Sequence, residues 1–176
     1  MKIVELQKSD YKGYALDCNY QTQAYYDVII KNKKDIKISI KRKKYGSKQD
    51  KGFVSHLFED YIEQPKVFGM FDQKKLVGVI EGSIETWNNR FRIWNFFVEN
   101  KYRNEGIGKA LFEHMVEFAK NEKARAIILE VQSCNDDAIR FYIKRGLHFV
   151  GFNTMEYSNE DIERKEVRLE MGKRLV

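Results

Sequence analysis

Residues 103–112 read RNEGIGKALF, with Gly106 and Gly108 one residue apart where an apolar, helix-like run begins. Glycine costs a helix interior up to about 1 kcal/mol relative to alanine, so two of them in a first turn need a reason. One reason is structural, a tight turn or close packing. The other is chemical. A glycine turn at a helix start aims several backbone N–H groups and the positive end of the helix dipole in one direction, and no side chain holds a pyrophosphate away. A GK[ST] triplet is missing after these glycines, as is the third glycine of a dinucleotide fingerprint, which excludes both of those phosphate loops.

A second cluster, NDDAIRFYIKRGLHF, occupies residues 135–149. Asn135 precedes a helical run that carries Phe141 and Tyr142, and Gly146 stops it. A strand IWNFFV (93–98) leads into the first cluster, and a strand ending at Val131 leads into the second. A right-handed crossover makes these strands parallel neighbours with their C-terminal ends pointing the same way. Asn135 and Tyr142 then face the glycine turn across the crevice where open sheets bind ligands. An amide, a phenol and a phosphate cradle are expected to share one groove.

The remaining chain must position these groups. Residues 2–7 alternate as a strand. Ser9 or Asp10 is suited to cap a helix over 11–23. A hairpin follows, with strands at Tyr26–Ile30 and Ile36–Arg42 around a Lys31–Asp35 turn. Residues 53–62 have helical spacing, and Pro65 ends that run. Strands are expected at Lys66–Phe71, Lys75–Ile84 and Phe91–Glu99, a helix at Glu105–Asn121, a strand buried on both faces at Arg125–Val131, and a helix at Asp136–Arg145. Phe149–Tyr157 and Arg164–Lys173 form a closing hairpin. The expected fold class is mixed α/β, a single domain over 1–176 with a largely antiparallel sheet and one strand–helix–strand crossover.

Composition narrows the class. The 176 residues are 43% hydrophobic and 33% charged, as in a soluble globular domain. No apolar run is long enough for a membrane span, and the N-terminus lacks a secretory pattern, so a cytoplasmic protein is expected. Cys18 and Cys134 are far apart, and His56, His114 and His148 do not pair with them at zinc-site spacing, so no metal is expected. The net charge of +6 is concentrated in residues 31–44. Alternation of Ile36, Ile38 and Ile40 with Lys37, Ser39 and Lys41 makes this a strand with a solvated lysine face. Without interleaved aromatics to stack on bases, no nucleic-acid partner is expected.

The two clusters together resemble the GNAT superfamily of N-acetyltransferases. RNEGIG resembles its pyrophosphate loop, and NxxAxxFYxxxGxxF, from Asn135 to Phe149, its second cofactor motif. The resemblance covers roughly residues 66–173. It implies acetyl-CoA as co-substrate and a central sheet, flanked by helices, splayed at a parallel strand pair. Phe96, Phe97 and Val98 would line the cofactor, with the Val98 N–H polarising the acetyl carbonyl. Arg103, Asn104, Glu105, Gly106, Ile107, Gly108 and Lys109 would wrap the pyrophosphate, Asn135 would bond the pantetheine, and Tyr142 would protonate the leaving thiolate.

The family's strand carboxylate is missing, because those positions read Trp94-Asn95. Glu81, Glu85 and Glu130 are the nearest acidic candidates for a base, and a partly neutral amine needs none. WNNR (87–90), LEVQ (129–132), FY (141–142) and NTMEY (153–157) resemble the streptothricin acetyltransferase branch. Trp87, Trp94 and Tyr157 would then line the pocket of a small-molecule amine acceptor, with Glu81 or Glu85 attracting its cation. The alternatives are a protein or peptide amine as acceptor, or a CoA-sensing nucleic-acid-binding module using the basic 28–44 hairpin. The family's habit of pairing through sheet edges makes a homodimer another expectation.

Overall fold

Short polar turns, each with one residue in left-handed backbone, fold the middle of the chain into a meander. Gln73 (φ 55°) links β6 (Lys66–Asp72) to β7 (Lys75–Glu85), and Asn89 (φ 53°) links β7 to β8 (Arg90–Val98). Asn tolerates this conformation better than most residues do. The computed structural model describes residues 1–32 and 34–176. They form two compact units.

The first unit holds Met1–Asn19, Gly52–Leu129 and Arg174–Val176. β1 (Ile3–Glu5) pairs antiparallel with β6, β6 with β7, and β7 with β8. β9 (Ala126–Gln132) runs parallel to β8 from Arg90↔Ala126 to Ile93↔Leu129, so the sheet is mostly antiparallel with one parallel pair. Between β8 and β9 lies α2 (Ile107–Asn121), which buries Ile107, Leu111, Phe112, Met115, Val116 and Ala119. Gly78 on β7 seats the start of α2, since a Cβ there would lie 2.7 Å from Ile107 Cγ2.

The second unit holds Tyr20–Lys51 and Glu130–Lys173. Its hairpin, β3 (Tyr20–Asn32) with β4 (Ile36–Lys51), is much longer than the expected 26–30 and 36–42 pair, and Lys33 in its turn lies outside the described residues. α3 (Asp136–Ile143) follows β9, and the closing hairpin pairs β10 (His148–Asn153) with β11 (Arg168–Arg174). A four-residue helix, α4 (Asp161–Arg164), lies between them.

Two expected helices are absent. The first is only α1 (Lys8–Tyr11), and it gives way to Gly13 at φ 76°. Ala15–Asp17 pair instead with residues 54–56, and Tyr20, Gln21 and Thr22 pair with β4, so long-range pairing decides the conformation. The second, at 53–62, is β5 (Val54–His56) paired with β2 (Ala15–Asp17), followed by turns. Of the residues at helical spacing, Leu57 and Phe58 are buried in turns, whereas Phe53 and Tyr61 are exposed, so no single helical face is formed. Phe58 at φ 58° ends any helical path. No helix among the described residues is long and apolar enough to cross a membrane.

Candidate functional site

The end of β8 is shaped by a bulge. Glu81 faces Asn95 while Gly82 faces Ile93, which leaves Trp94 as the extra residue. Parallel pairing with β9 reaches Ile93, the residue before it. A bulge bends its strand and increases its twist, so β8 parts from β9 there and continues on β7 alone through Phe96, Phe97 and Val98, all half-buried.

Asn95 is locked under this bend. Its Nδ2 donates to Glu81 Oε2 (2.6 Å) and to the His56 carbonyl (3.2 Å), and its Oδ1 accepts from Ser55 Oγ (2.6 Å). Glu81 Oε1 also accepts from the Phe58 N–H at 2.8 Å. Burial pushes the Glu81 carboxyl above its ordinary value, against the opposing hydrogen bonds from Asn95 and Phe58. It ties the β5 loop to the sheet.

Beyond Val98 the chain makes a 3₁₀ turn at Asn100–Tyr102, and Arg103 Nε returns to donate to the Val98 carbonyl at 3.2 Å. Asn104 (φ 68°) and Gly106 (φ 87°) are both left-handed, and Arg103 through Gly106 are exposed. A Cβ at Gly106 would meet open space, so glycine answers to the backbone conformation there rather than to packing. The first bond of α2 runs from the Ala110 N–H to the Gly106 carbonyl (2.9 Å). Helix geometry therefore leaves the Ile107, Gly108 and Lys109 N–H groups without an intrahelical acceptor. No side chain caps this end and no acidic residue lies in its first turn. Its partial positive charge is uncompensated from within the helix.

α3 begins differently. Asn135 Oδ1 accepts from the Ala138 N–H at 3.2 Å, and Asp136 and Asp137 occupy the first turn. Asp136 is buried and accepts a two-pronged bond from Arg42, Nε to Oδ1 at 2.7 Å and Nη2 to Oδ2 at 2.9 Å. Tyr142 is buried on the same helix, with Phe141 edge-on at 5.5 Å.

Several of the other expected residues are engaged by partners of their own. Glu85 accepts from Arg92 and Arg90, both at 2.8 Å. Burial works to raise its carboxyl, but Arg92 and then Arg90 outweigh this and hold it below the ordinary value, which makes it a weak base. Glu130 accepts from Tyr157 Oη at 3.2 Å and pairs with Arg168 at 3.1 Å. Burial, with Glu130 beside it, pushes the Tyr157 phenol up. Trp94 donates to Ser83 Oγ at 2.9 Å, carries Arg92 over its ring and meets Tyr61 edge-on at 5.8 Å. Trp87 stands exposed in the turn before β8, at the opposite end of that strand from Val98, roughly 25 Å at about 3.3 Å per residue. Burial pushes the Cys18 thiol up to about 11. Among the described residues no His, Cys, Asp or Glu group is arranged to hold a metal.

Sequence reading missed the Ser55–Asn95–Glu81 network and the Arg42–Asp136 pair. The bulge that aims Asn95 inward has no local signature, and Arg42 lies 94 positions from its partner. The one signal available was a single arginine within an otherwise lysine-rich run.

The Acetyltransferase (GNAT) family model matches residues 35–149, a stretch that draws on both units, and the chain belongs to that family. Residues of this chain are 34% identical over 82 positions to streptothricin acetyltransferase of Streptomyces lavendulae, covering 47% of this chain and 43% of that protein. The chain thus matches less than half the length of that curated relative. Two solved structures share the fold over almost the whole chain. One is nourseothricin acetyltransferase (TM-score 0.79, 22% identity, 99% of this chain and 98% of that one). The other is a protein of Bacillus anthracis str. Ames solved in complex with acetyl coenzyme A (TM-score 0.78, 24% identity, 98% of each chain).

Proposed function

We propose that this chain is a cytoplasmic acetyl-CoA-dependent N-acetyltransferase, one catalytic domain over residues 1–176, that acetylates a primary amine of a small streptothricin-like antibiotic and so confers resistance to it. The observation that carries this reading is the uncompensated N-terminus of α2, entered through left-handed Gly106 directly after β8 has parted from β9. Such an end binds phosphate through backbone N–H groups and the helix dipole.

In this reading Arg103, Asn104, Glu105, Gly106, Ile107, Gly108 and Lys109 receive the pyrophosphate. Phe96, Phe97 and Val98 flank the thioester arm, and the Val98 N–H stabilises the oxyanion. Asn135 spends its carbonyl oxygen on the α3 cap and offers its amide N–H to the pantetheine. The neutral amine attacks the thioester carbon, the C–S bond breaks, and Tyr142 gives its proton to the departing thiolate. Glu81 is committed to Asn95 and Phe58, and Glu85 to two arginines, so the amine proton leaves to water. Trp94 and Tyr157 remain candidates for acceptor contacts, while Trp87 stands too far along β8.

The test is calorimetric titration with acetyl-CoA, then thiol release with streptothricin and with spermidine. Binding in roughly the micromolar range with turnover of streptothricin is expected. Absent binding rejects the cofactor reading. Binding with turnover of spermidine alone rejects the acceptor.

A further inference from the structure

The β3–β4 hairpin touches the turn around Asn135 at almost every residue. Tyr20 Oη donates to Gln132 Oε1 (3.1 Å) and lies 3.2 Å from Cys134 Sγ. The Tyr26 N–H donates to the Ser133 carbonyl at 2.8 Å. Arg42 grips both oxygens of Asp136. Residues 132, 133, 134 and 136 are thus all held by one hairpin, and Asn135 sits among them.

The Arg42 contact is the strongest of these. Its partner's side chain is only 8% exposed, and a fork-to-carboxylate pair fixes orientation as well as distance. Asp136 is also the first residue of α3, so its position sets both the Asn135 cap and the helix that carries Tyr142. Lys43 and Lys51 on the same strand are paired too, with Asp27 at 2.6 Å and Glu166 at 2.5 Å. Arg42 and Lys43 of the basic run are thus paired within their own unit, while Lys37, Lys41 and Lys44 stand exposed as the expected solvated face.

We infer that Arg42 is a positioning residue, which through Asp136 sets the Asn135 turn for the pantetheine arm of acetyl-CoA. The cofactor part of this inference rests on the proposed acetyltransferase activity, while the clamp itself does not. The experiment uses the full chain with Arg42→Gln, Arg42→Lys and Lys51→Gln. It reads amide hydrogen exchange without ligand, the unfolding midpoint, and KM and kcat with acetyl-CoA.

Arg42→Gln is expected to speed exchange at residues 133–139 by about tenfold. Exchange at 107–112 stays as it was. KM for acetyl-CoA rises roughly tenfold with kcat changed less than about twofold, as for lost uniform binding. Lys51→Gln breaks the pair with Glu166, which lies beside Cys134 and leaves the Arg42–Asp136 fork intact, so it changes exchange at 133–139 and KM less than Arg42→Gln does. Arg42→Lys keeps the charge without the fork and falls between.

Unchanged exchange at 133–139 in Arg42→Gln overturns the clamp, whatever acetyl-CoA does. Faster exchange with an unchanged KM overturns its link to the cofactor. Equal effects of Lys51→Gln and Arg42→Gln assign the role to the hairpin as a whole, and full rescue by Arg42→Lys removes the bidentate argument. If the wild-type chain does not bind acetyl-CoA, the activity reading fails and the exchange measurements alone decide the clamp.

Discussion

Two helices of this chain start in opposite ways. α3 is closed by side chains: Asn135 caps it, Asp136 and Asp137 meet its dipole, and Arg42 of β4 holds Asp136. α2 is left open: Gly106 cannot cap, its first turn carries no acid, and its leading N–H groups have no partner within the helix. Open helix ends are costly unless something satisfies them. The difference separates a helix that presents a side chain from one that presents its backbone. In the proposed function, α3 holds Tyr142 still and α2 leaves its first turn free for phosphate.

That comparison is most directly broken by Tyr142→Phe. If α3 serves through its phenol, kcat drops by about a hundredfold while acetyl-CoA affinity stays within about twofold. A steady-state assay that finds full kcat removes Tyr142 from the chemistry. The complementary change is Lys109→Glu, which gives α2 the acidic first turn that α3 has. Acetyl-CoA KM is expected to rise by at least tenfold, roughly, as charge is reversed beside the pyrophosphate. Lys109 lies 3.9 Å from Glu113 and both are well exposed, so chemical stability of the fold changes by less than about 0.5 kcal/mol in urea unfolding. A KM equal to wild type would mean that α2 does not meet phosphate.

Removing the α3 cap gives a smaller effect of another kind. Asn135→Ala is expected to cost about 1 kcal/mol of stability, because the Ala138 N–H loses its acceptor. Urea unfolding with no loss would show that α3 does not depend on its cap. The gentlest signal is a slope with pH. Asn95 under β8 leans on the buried Glu81 carboxyl, whereas Asp136 at α3 leans on a guanidinium. Glu81 is raised in the folded chain, so the folded state holds its proton more tightly than the unfolded state does. Its contribution is present below about 4.5 and is lost as pH rises through its folded value. Glu81→Gln should lack that decline. Parallel stability-versus-pH curves for the two proteins would count against a protonatable Glu81.

Much of this was legible in the chain because it is local. The left-handed Gly106, the apolar face of α2 and the Asn135 start of α3 each follow from residues a few positions apart, and they appear where their spacing predicts. The β6–β7–β8 meander is legible for the same reason, since short polar turns dictate hairpins. The two missing helices show the opposite case. Residues 11–23 follow a capping residue and 53–62 carry apolar residues at helical spacing, yet the pairing of β2 with β5 and of β3 with β4, and the hydrogen bond from Phe58 to Glu81, override local preference. Glu81 and Glu85 looked alike in sequence. One is buried against neutral donors and the other is gripped by two arginines.

The sequence by itself determined the glycine turn, its helix and the family signature, because backbone conformation at Gly106 and periodicity along α2 need no distant partner. Only the tertiary structure decided where β8 leaves β9, which carboxylates are free to act, and what holds the Asn135 turn. Those depend on a one-residue bulge and on contacts such as Arg42 with Asp136, which form only when remote segments are brought together by burial.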